Sequence, residues 1–133
     1  MFSARQTIVI VDDDPNVGSA LKRALATYGY HTEVFVSPAE CLSAVVTSAA
    51  ACFVIDVHLG DHCGIDLSRR LVAMGIKSPM ILMSAVGTEA VRREALASGS
   101  VAFLDKPFLI QDLVRSVETA TGLRSVETAT ETG

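Results

Sequence analysis

Tryptophan is absent from this sequence, and basic residues are outnumbered, with 11 lysines and arginines against 15 aspartates and glutamates and a formal net charge of −4. A chain without a basic excess lacks the electrostatic footprint of a polyanion binder, so direct nucleic-acid binding by this segment is not expected. Cysteine is scarce as well. Cys41, Cys52 and Cys63 are odd in number and lack CxxC spacing, which excludes a full disulfide framework and a zinc site and predicts reduced thiols. Long apolar runs are missing too. The nearest approach, residues 42–55, is interrupted by Ser43, Thr47 and Ser48 and falls short of the roughly 18 to 20 residues that a membrane span needs. Met1-Phe2-Ser3-Ala4-Arg5-Gln6 is too short and mixed for a signal peptide. The expected location is the cytoplasm, with no membrane partner.

What is present describes one folded domain. Half of the 133 residues are apolar and a fifth are charged, too apolar for disorder. Thr7-Ile8-Val9-Ile10-Val11 is a β-branched run without polar alternation, hence a buried strand. Asp14 and Pro15 suit the N-cap and first position of a helix in which Val17, Leu21, Ala24, Leu25 and Tyr28 recur at helical spacing. His31 to Val36 reads as a second strand, more polar and so nearer an edge. Ser37-Pro38-Ala39-Glu40 is a capping box opening a helix through about Thr47. Cys52 to Ile55 is a third strand, and Ile65, Leu67, Leu71 and Met74 mark a third helix. Pro79 to Met83 is a fourth strand, Thr88 caps a fourth helix over Glu89 to about Ser98, and Val101 to Leu104 is a fifth strand. Ile110, Leu113, Val114, Val117 and Ala120 mark the last helix.

Alternating strands and helices predict right-handed crossovers and a parallel sheet covered on both faces. The expected fold class is α/β, a flavodoxin-like (βα)5 three-layer sandwich with a five-stranded sheet of order 2-1-3-4-5. Arg115-Ser116-Val117-Glu118-Thr119-Ala120-Thr121 recurs as Arg124-Ser125-Val126-Glu127-Thr128-Ala129-Thr130. A nine-residue offset puts the second copy on the opposite face of a continuous helix, so it cannot extend the apolar stripe. Residues 1–121 are therefore expected to form the domain and 122–133 a polar, frayed tail.

Asp56 ends a buried strand, and by itself it could simply cap the next turn. Other residues of the same kind change that reading. Asp12 and Asp13 follow the first strand, Ser84 follows the fourth and Lys106 follows the fifth. The carboxyl ends of parallel strands point the same way, so these residues are expected to meet in one pocket. Crowded carboxylates repel one another unless a cation intervenes, and oxygen ligands from aspartate suit Mg²⁺. A carboxylate can also attack phosphorus to give an aspartyl phosphate, whose oxygens an ammonium, a hydroxyl and a metal would stabilise. The constellation fits phosphoryl transfer onto Asp56.

From Ile8 to about Thr121 the chain resembles the receiver domain of two-component response regulators. The motifs that carry the resemblance are Val11-Asp12-Asp13-Asp14-Pro15, Ile55-Asp56 with Gly64 eight residues on, Met83-Ser84-Ala85 and Asp105-Lys106-Pro107-Phe108. The resemblance implies Asp56 as phosphoacceptor and Asp12 and Asp13 as the acidic pair. Asp13 is then a direct Mg²⁺ ligand, with Asp56 and the backbone carbonyl of His58. It further implies Ser84 as the switch hydroxyl, Phe103 as the switch aromatic, Lys106 as the phosphoryl partner, and a cis Lys106–Pro107 peptide. Many receivers carry proline where this chain has Gly60, which predicts a looser loop. Ser84 replaces the commoner threonine and keeps its hydroxyl.

The implied activity is a phosphorylation switch in signal transduction rather than turnover of an external substrate. A sensor histidine kinase or phosphotransfer protein is the donor, and the face of the fourth helix, fifth strand and fifth helix is the output and possible dimerisation surface. The motif around Lys106 is most similar to receivers of LuxR-type transcriptional regulators, so the chain is expected either to act alone or to belong to a longer regulator. Two alternatives stand beside this: a docking or dimerisation module without phosphotransfer, and a small metal-dependent phosphatase. The second usually needs an aspartate two residues after the nucleophile, where this chain has His58.

Overall fold

The computed structural model describes residues 6–45 and 49–122. Five strands and five helices alternate: β1 (Thr7–Val11), α1 (Pro15–Ala26), β2 (His31–Phe35), α2 (Pro38–Val45), β3 (Cys52–Asp56), α3 (Gly64–Ala73), β4 (Met80–Ser84), α4 (Glu89–Ala97), β5 (Ala102–Asp105) and α5 (Ile110–Thr121). The strands pair in parallel in the order β2-β1-β3-β4-β5, the expected arrangement. The repeat from Arg124 and the end of the second helix near Thr47 lie outside the described residues.

The period-two direction of side chains along each strand divides the core into two layers. Val9, Val11, Phe53, Ile55 and Leu82 face α2, α3 and α4, where they meet Cys41, Leu67, Leu71 and Ala95. Ile8, Ile10, Val54, Ile81 and Met83 face α1 and α5, where they meet Leu25, Leu113, Val114 and Val117. Buried on both faces, β3 and β4 carry apolar runs without alternation. At the edge, β2 is only partly buried, as its polar composition predicts.

Local signals set most boundaries. The Asp14 carboxylate accepts from the Asn16 amide at 2.9 Å and caps α1 ahead of Pro15. Thr88 caps α4 through the Val91 amide. In the capping box the Ser37 hydroxyl accepts from the Glu40 amide, but Glu40 reaches back to the Val36 amide rather than to that of Ser37. Val36 therefore lies just outside the strand it was expected to end. Tyr28 and Met74 were expected on buried helical stripes, yet both helices end before them and both side chains are exposed.

Between β3 and α3 lies an element that strand periodicity did not suggest. His58–Leu59 pairs antiparallel with His62–Cys63 across the turn Gly60-Asp61. Gly60 has φ +63°, and among the described residues every positive φ belongs to a glycine, so Asp61 keeps a negative φ. A positive first and negative second central residue is the II′ pattern that suits hairpins.

Candidate functional site

The carboxyl ends of β1, β3, β4 and β5 bring the expected residues together. Asp12 follows the last residue of β1, and its amide donates to the Phe35 carbonyl at 3.0 Å, which extends the β1–β2 ladder by one step. Asp56 is the last residue of β3, level with Met83, so Ser84 stands one step beyond it on the adjacent strand. The Lys106 amide donates to the Ser84 carbonyl at 2.8 Å, which places the lysine where β5 ends. The Lys106–Pro107 peptide is cis.

Asp12, Asp13 and Asp56 each turn a carboxylate oxygen into one cluster within 4.8 Å. Asp12 and Asp56 are almost wholly buried at 1% and 5% exposure, while Asp13 is exposed. The Lys106 ammonium donates to Asp12 Oδ2 at 2.8 Å and to Asp56 Oδ2 at 2.6 Å. Their second oxygens are also satisfied: Asp12 Oδ1 accepts from the Asp14 amide and Asp56 Oδ1 from the His58 amide, both at 2.9 Å. Such charge-assisted bonds are what allow charge to be buried. Burial pushes the Asp12 carboxyl above its ordinary value despite the opposing pull of Lys106. For Lys106, burial works to lower the ammonium's pKa, but hydrogen bonds and charge from the two aspartates outweigh it and the net direction is upward.

The chemistry of this donor set fits a hard divalent cation. Three carboxylates converge against one lysine, an excess of negative charge that oxygen-ligated Mg²⁺ would offset. Gly64 lets the start of α3 approach the end of β3 closely. A Cβ there would collide with the Asp56 carbonyl oxygen, and the Gly64 amide donates to the Val57 carbonyl at 2.7 Å.

Ser84 is fully buried, and its hydroxyl oxygen accepts from the Val86 amide at 3.0 Å, at the start of the connection to α4. Phe103 is half-buried beside Leu82, facing α4 rather than the carboxylates. His58 is exposed on the hairpin opposite Cys63, and His31 and His62 are exposed as well.

Two contacts escaped sequence reasoning. The Gly60 amide donates to Asp13 Oδ2 at 3.0 Å, so the loop expected to be loose is tied to the acidic cluster. The dipeptide Gly60-Asp61 between Leu59 and His62 was a readable hairpin signal; the tether itself spans 47 residues and had none. On the neighbouring face the Arg92 guanidinium stacks over the Phe103 ring at 4.8 Å and pairs with Asp105 at 2.7 Å.

A family model described as the response regulator receiver domain matches residues 8–118. Response regulator protein TmoT of Ectopseudomonas mendocina is 32% identical over 120 residues, covering 90% of this chain and 54% of that protein. Transcriptional regulatory protein TdiR of Thauera aromatica is 32% identical over 117 residues, covering 88% of this chain and 52% of that protein. The chain thus spans about half the length of the curated relatives it matches. Among solved structures, the receiver domain of Francisella response regulator 1452 superposes with a TM-score of 0.83 at 29% identity, covering 89% of this chain and 98% of that one.

Proposed function

This chain belongs to the response regulator receiver family, and from that premise we propose that it is switched by a phosphoryl group accepted on Asp56. The observation that carries the assignment is the Lys106 ammonium shared between Asp12 and Asp56 at 2.8 and 2.6 Å at the bottom of an acidic pocket. A carboxylate so placed is held in one orientation and has a cation beside it ready to meet phosphoryl oxygens.

In the proposed reaction an Asp56 carboxylate oxygen attacks the phosphorus of a phosphohistidine on a sensor kinase or phosphotransfer protein. The new P–O bond forms as the P–N bond breaks, and the bonding pair leaves on the imidazole nitrogen. Lys106 neutralises charge on the transferred group. Asp12, Asp13 and Asp56, with the His58 backbone carbonyl, would hold Mg²⁺. The His58 amide reaches Asp56, and extended backbone projects a residue's N–H and C=O from the same edge, which supports that assignment. Bound there, the cation would supply electrostatic stabilisation of the phosphoryl oxygens.

The acyl phosphate adds roughly one negative charge over the carboxylate. Ser84 would turn its hydroxyl from the Val86 amide toward the new oxygens, loosening the connection to α4 and letting Phe103 move inward. Output then passes through the face of α4, β5 and α5, by dimerisation or by contact with an output domain of the LuxR type in a longer regulator. No helix among the described residues is long and apolar enough to cross a membrane. The domain is read as residues 1–121 and its location as the cytoplasm.

Incubation with Mg²⁺ and acetyl phosphate or phosphoramidate, followed by intact mass, tests this reading. One phosphoryl group is expected on the wild type and none on Asp56→Asn. A wild type that gains none would leave a docking module as the better description, and multiple turnover of phosphate esters would indicate a phosphatase.

A further inference from the structure

Asp13 differs from the other two carboxylates of the cluster. Asp12 and Asp56 are buried, and each has both oxygens engaged by the protein. Asp13 is exposed, and its one partner among the described residues is the Gly60 amide on Oδ2 at 3.0 Å. An exposed carboxylate on a free side chain loses rotamer freedom when it binds a cation, and a contact that fixes it beforehand reduces that loss. The Gly60 bond occupies one oxygen and leaves Oδ1 for a ligand.

We propose that the Gly60 backbone amide is a positioning group for the cation site. It holds Asp13 in the orientation that turns an oxygen to Asp12 and Asp56, and it couples the 58–63 hairpin to cation occupancy. The inference rests on the reading of this cluster as a divalent-cation site.

Three features support it. The amide reaches Asp13 because Gly60 takes φ +63° at the first central position of the turn, a conformation closed to proline. The same hairpin begins at His58, whose amide holds the Asp56 carboxylate at 2.9 Å, so one short element orients two of the three acidic groups. The space around Gly60 is open: a Cβ there would have nothing within 4 Å, so a side chain tolerant of positive φ can be introduced without a clash. Coupling is reciprocal, so a cation that requires this Asp13 orientation also strengthens the amide bond.

Mn²⁺ binding to the full chain, followed by the electron paramagnetic resonance of free Mn²⁺, tests the proposal. Gly60→Pro removes the donor and, because proline cannot take φ +63°, also alters the turn; it is expected to weaken Mn²⁺ binding at least about tenfold, the worth of one hydrogen bond to a charged group, and the amide exchange below separates the donor from the turn. Gly60→Asn keeps the amide but carries strain at φ +63°, where asparagine is among the least disfavoured side chains, so it is expected to bind more tightly than Gly60→Pro and within a few-fold of wild type. Equal binding by Gly60→Pro and wild type overturns the proposal while leaving the cation site standing. Equal weakening by both variants also overturns it, because turn shape rather than the amide would then be responsible. A wild type that binds no Mn²⁺ removes the cation reading and this proposal together. Amide hydrogen exchange covers the outcome in which Gly60→Pro does not fold. The Gly60 amide is expected to be protected in the wild type, more so with Mn²⁺, and unprotected in Asp13→Ala; exchange at the free-peptide rate in the wild type overturns the proposal.

Discussion

The pocket at the ends of β1, β3 and β5 and the face built by α4 and β5 lie next to each other and are held in opposite ways. In the pocket, Asp12 and Asp56 are buried and each of their oxygens has a donor. On the face, apolar groups are exposed and charged ones do the holding. Ala95 is the only buried residue of α4, while Leu96 is 50% and Val101 55% exposed. The helix is tied to β5 by Arg92–Asp105 and to α3 by Arg69–Glu94, all with side chains open to solvent. Breaking a buried network leaves an unpaired charge and costs several kcal/mol, whereas exposed pairs contribute about 0 to 1. The difference suits a switch. The site proposed to receive the phosphoryl group is over-determined, and the element that would report it can shift at low cost.

The contrast is broken most forcefully at Lys106. Lys106→Met leaves Asp12 and Asp56 buried side by side without their cation, and the metal-free chain is expected to lose about 3 kcal/mol at neutral pH. Urea denaturation in chelator measures this, and added Mg²⁺ should restore part of it. The pH dependence carries the same signature with a definite sign. The folded Lys106 ammonium titrates above its ordinary 10.5, so its contribution is complete below that pH and lost as pH rises through the higher folded value. Burial pushes the thiols of Cys41 up to about 11 and Cys52 up to about 12, and they too lose stability on the alkaline side. Both chains keep these cysteines, so the gap between wild type and Lys106→Met should narrow above pH 10.5 because of the lysine. A gap that widened with alkali would mean that Lys106 is not held by its partners.

Ser84 stands on the border between the two regions. Its hydroxyl is fully buried and its one bond runs outward to Val86, on the way to α4. Ser84→Ala is expected to cost about 1 kcal/mol, the net worth of a neutral hydrogen bond. The more telling readout is the faster exchange expected at the Val86 amide. Unchanged exchange there would separate the hydroxyl from the α4 connection.

How much of this was legible depended on the reach of each interaction. Asp12, Asp56 and Lys106 could be found because the two aspartates close apolar runs and Lys106 follows one after Asp105, and a parallel sheet collects strand ends on one side whatever their separation in sequence. The strand order followed from the alternation of elements and the polar character of His31 to Phe35. Tyr28 and Met74 were misplaced because helical spacing continued past the last helical residue, and spacing does not say where backbone hydrogen bonding stops. The Gly60–Asp13 bond was hidden for another reason. The consequence drawn from a glycine in the loop was freedom, whereas its positive φ serves a tight turn that aims an amide at a distant carboxylate. Arg92 was invisible to pattern, since a long side chain reaching across elements leaves no periodic trace.

Arg92 offers the smallest and sharpest test of the contrast. Its guanidinium covers the Phe103 ring at 4.8 Å and binds Asp105 at 2.7 Å, with the two charged side chains 41% and 53% exposed. Solvent screening limits the ion pair to a few tenths of a kcal/mol, and an exposed cation–π contact adds about 0.5 to 1. Arg92→Ala is therefore expected to lower global stability by about 1 kcal/mol while raising exchange at the α4 amides by several-fold. The guanidinium packs on the Phe103 ring in its present position, so the contact is lost if the ring moves away. With Phe103 as the switch aromatic proposed above, removing the guanidinium withdraws stabilisation from the present ring position and is expected to shift the population away from it before any phosphoryl group arrives. Self-association or Phe103 ring shifts in unphosphorylated Arg92→Ala would register that change. A variant that lost global stability without changing either measure would show that Arg92 supports the fold generally, and that α4 is no looser than the pocket beside it.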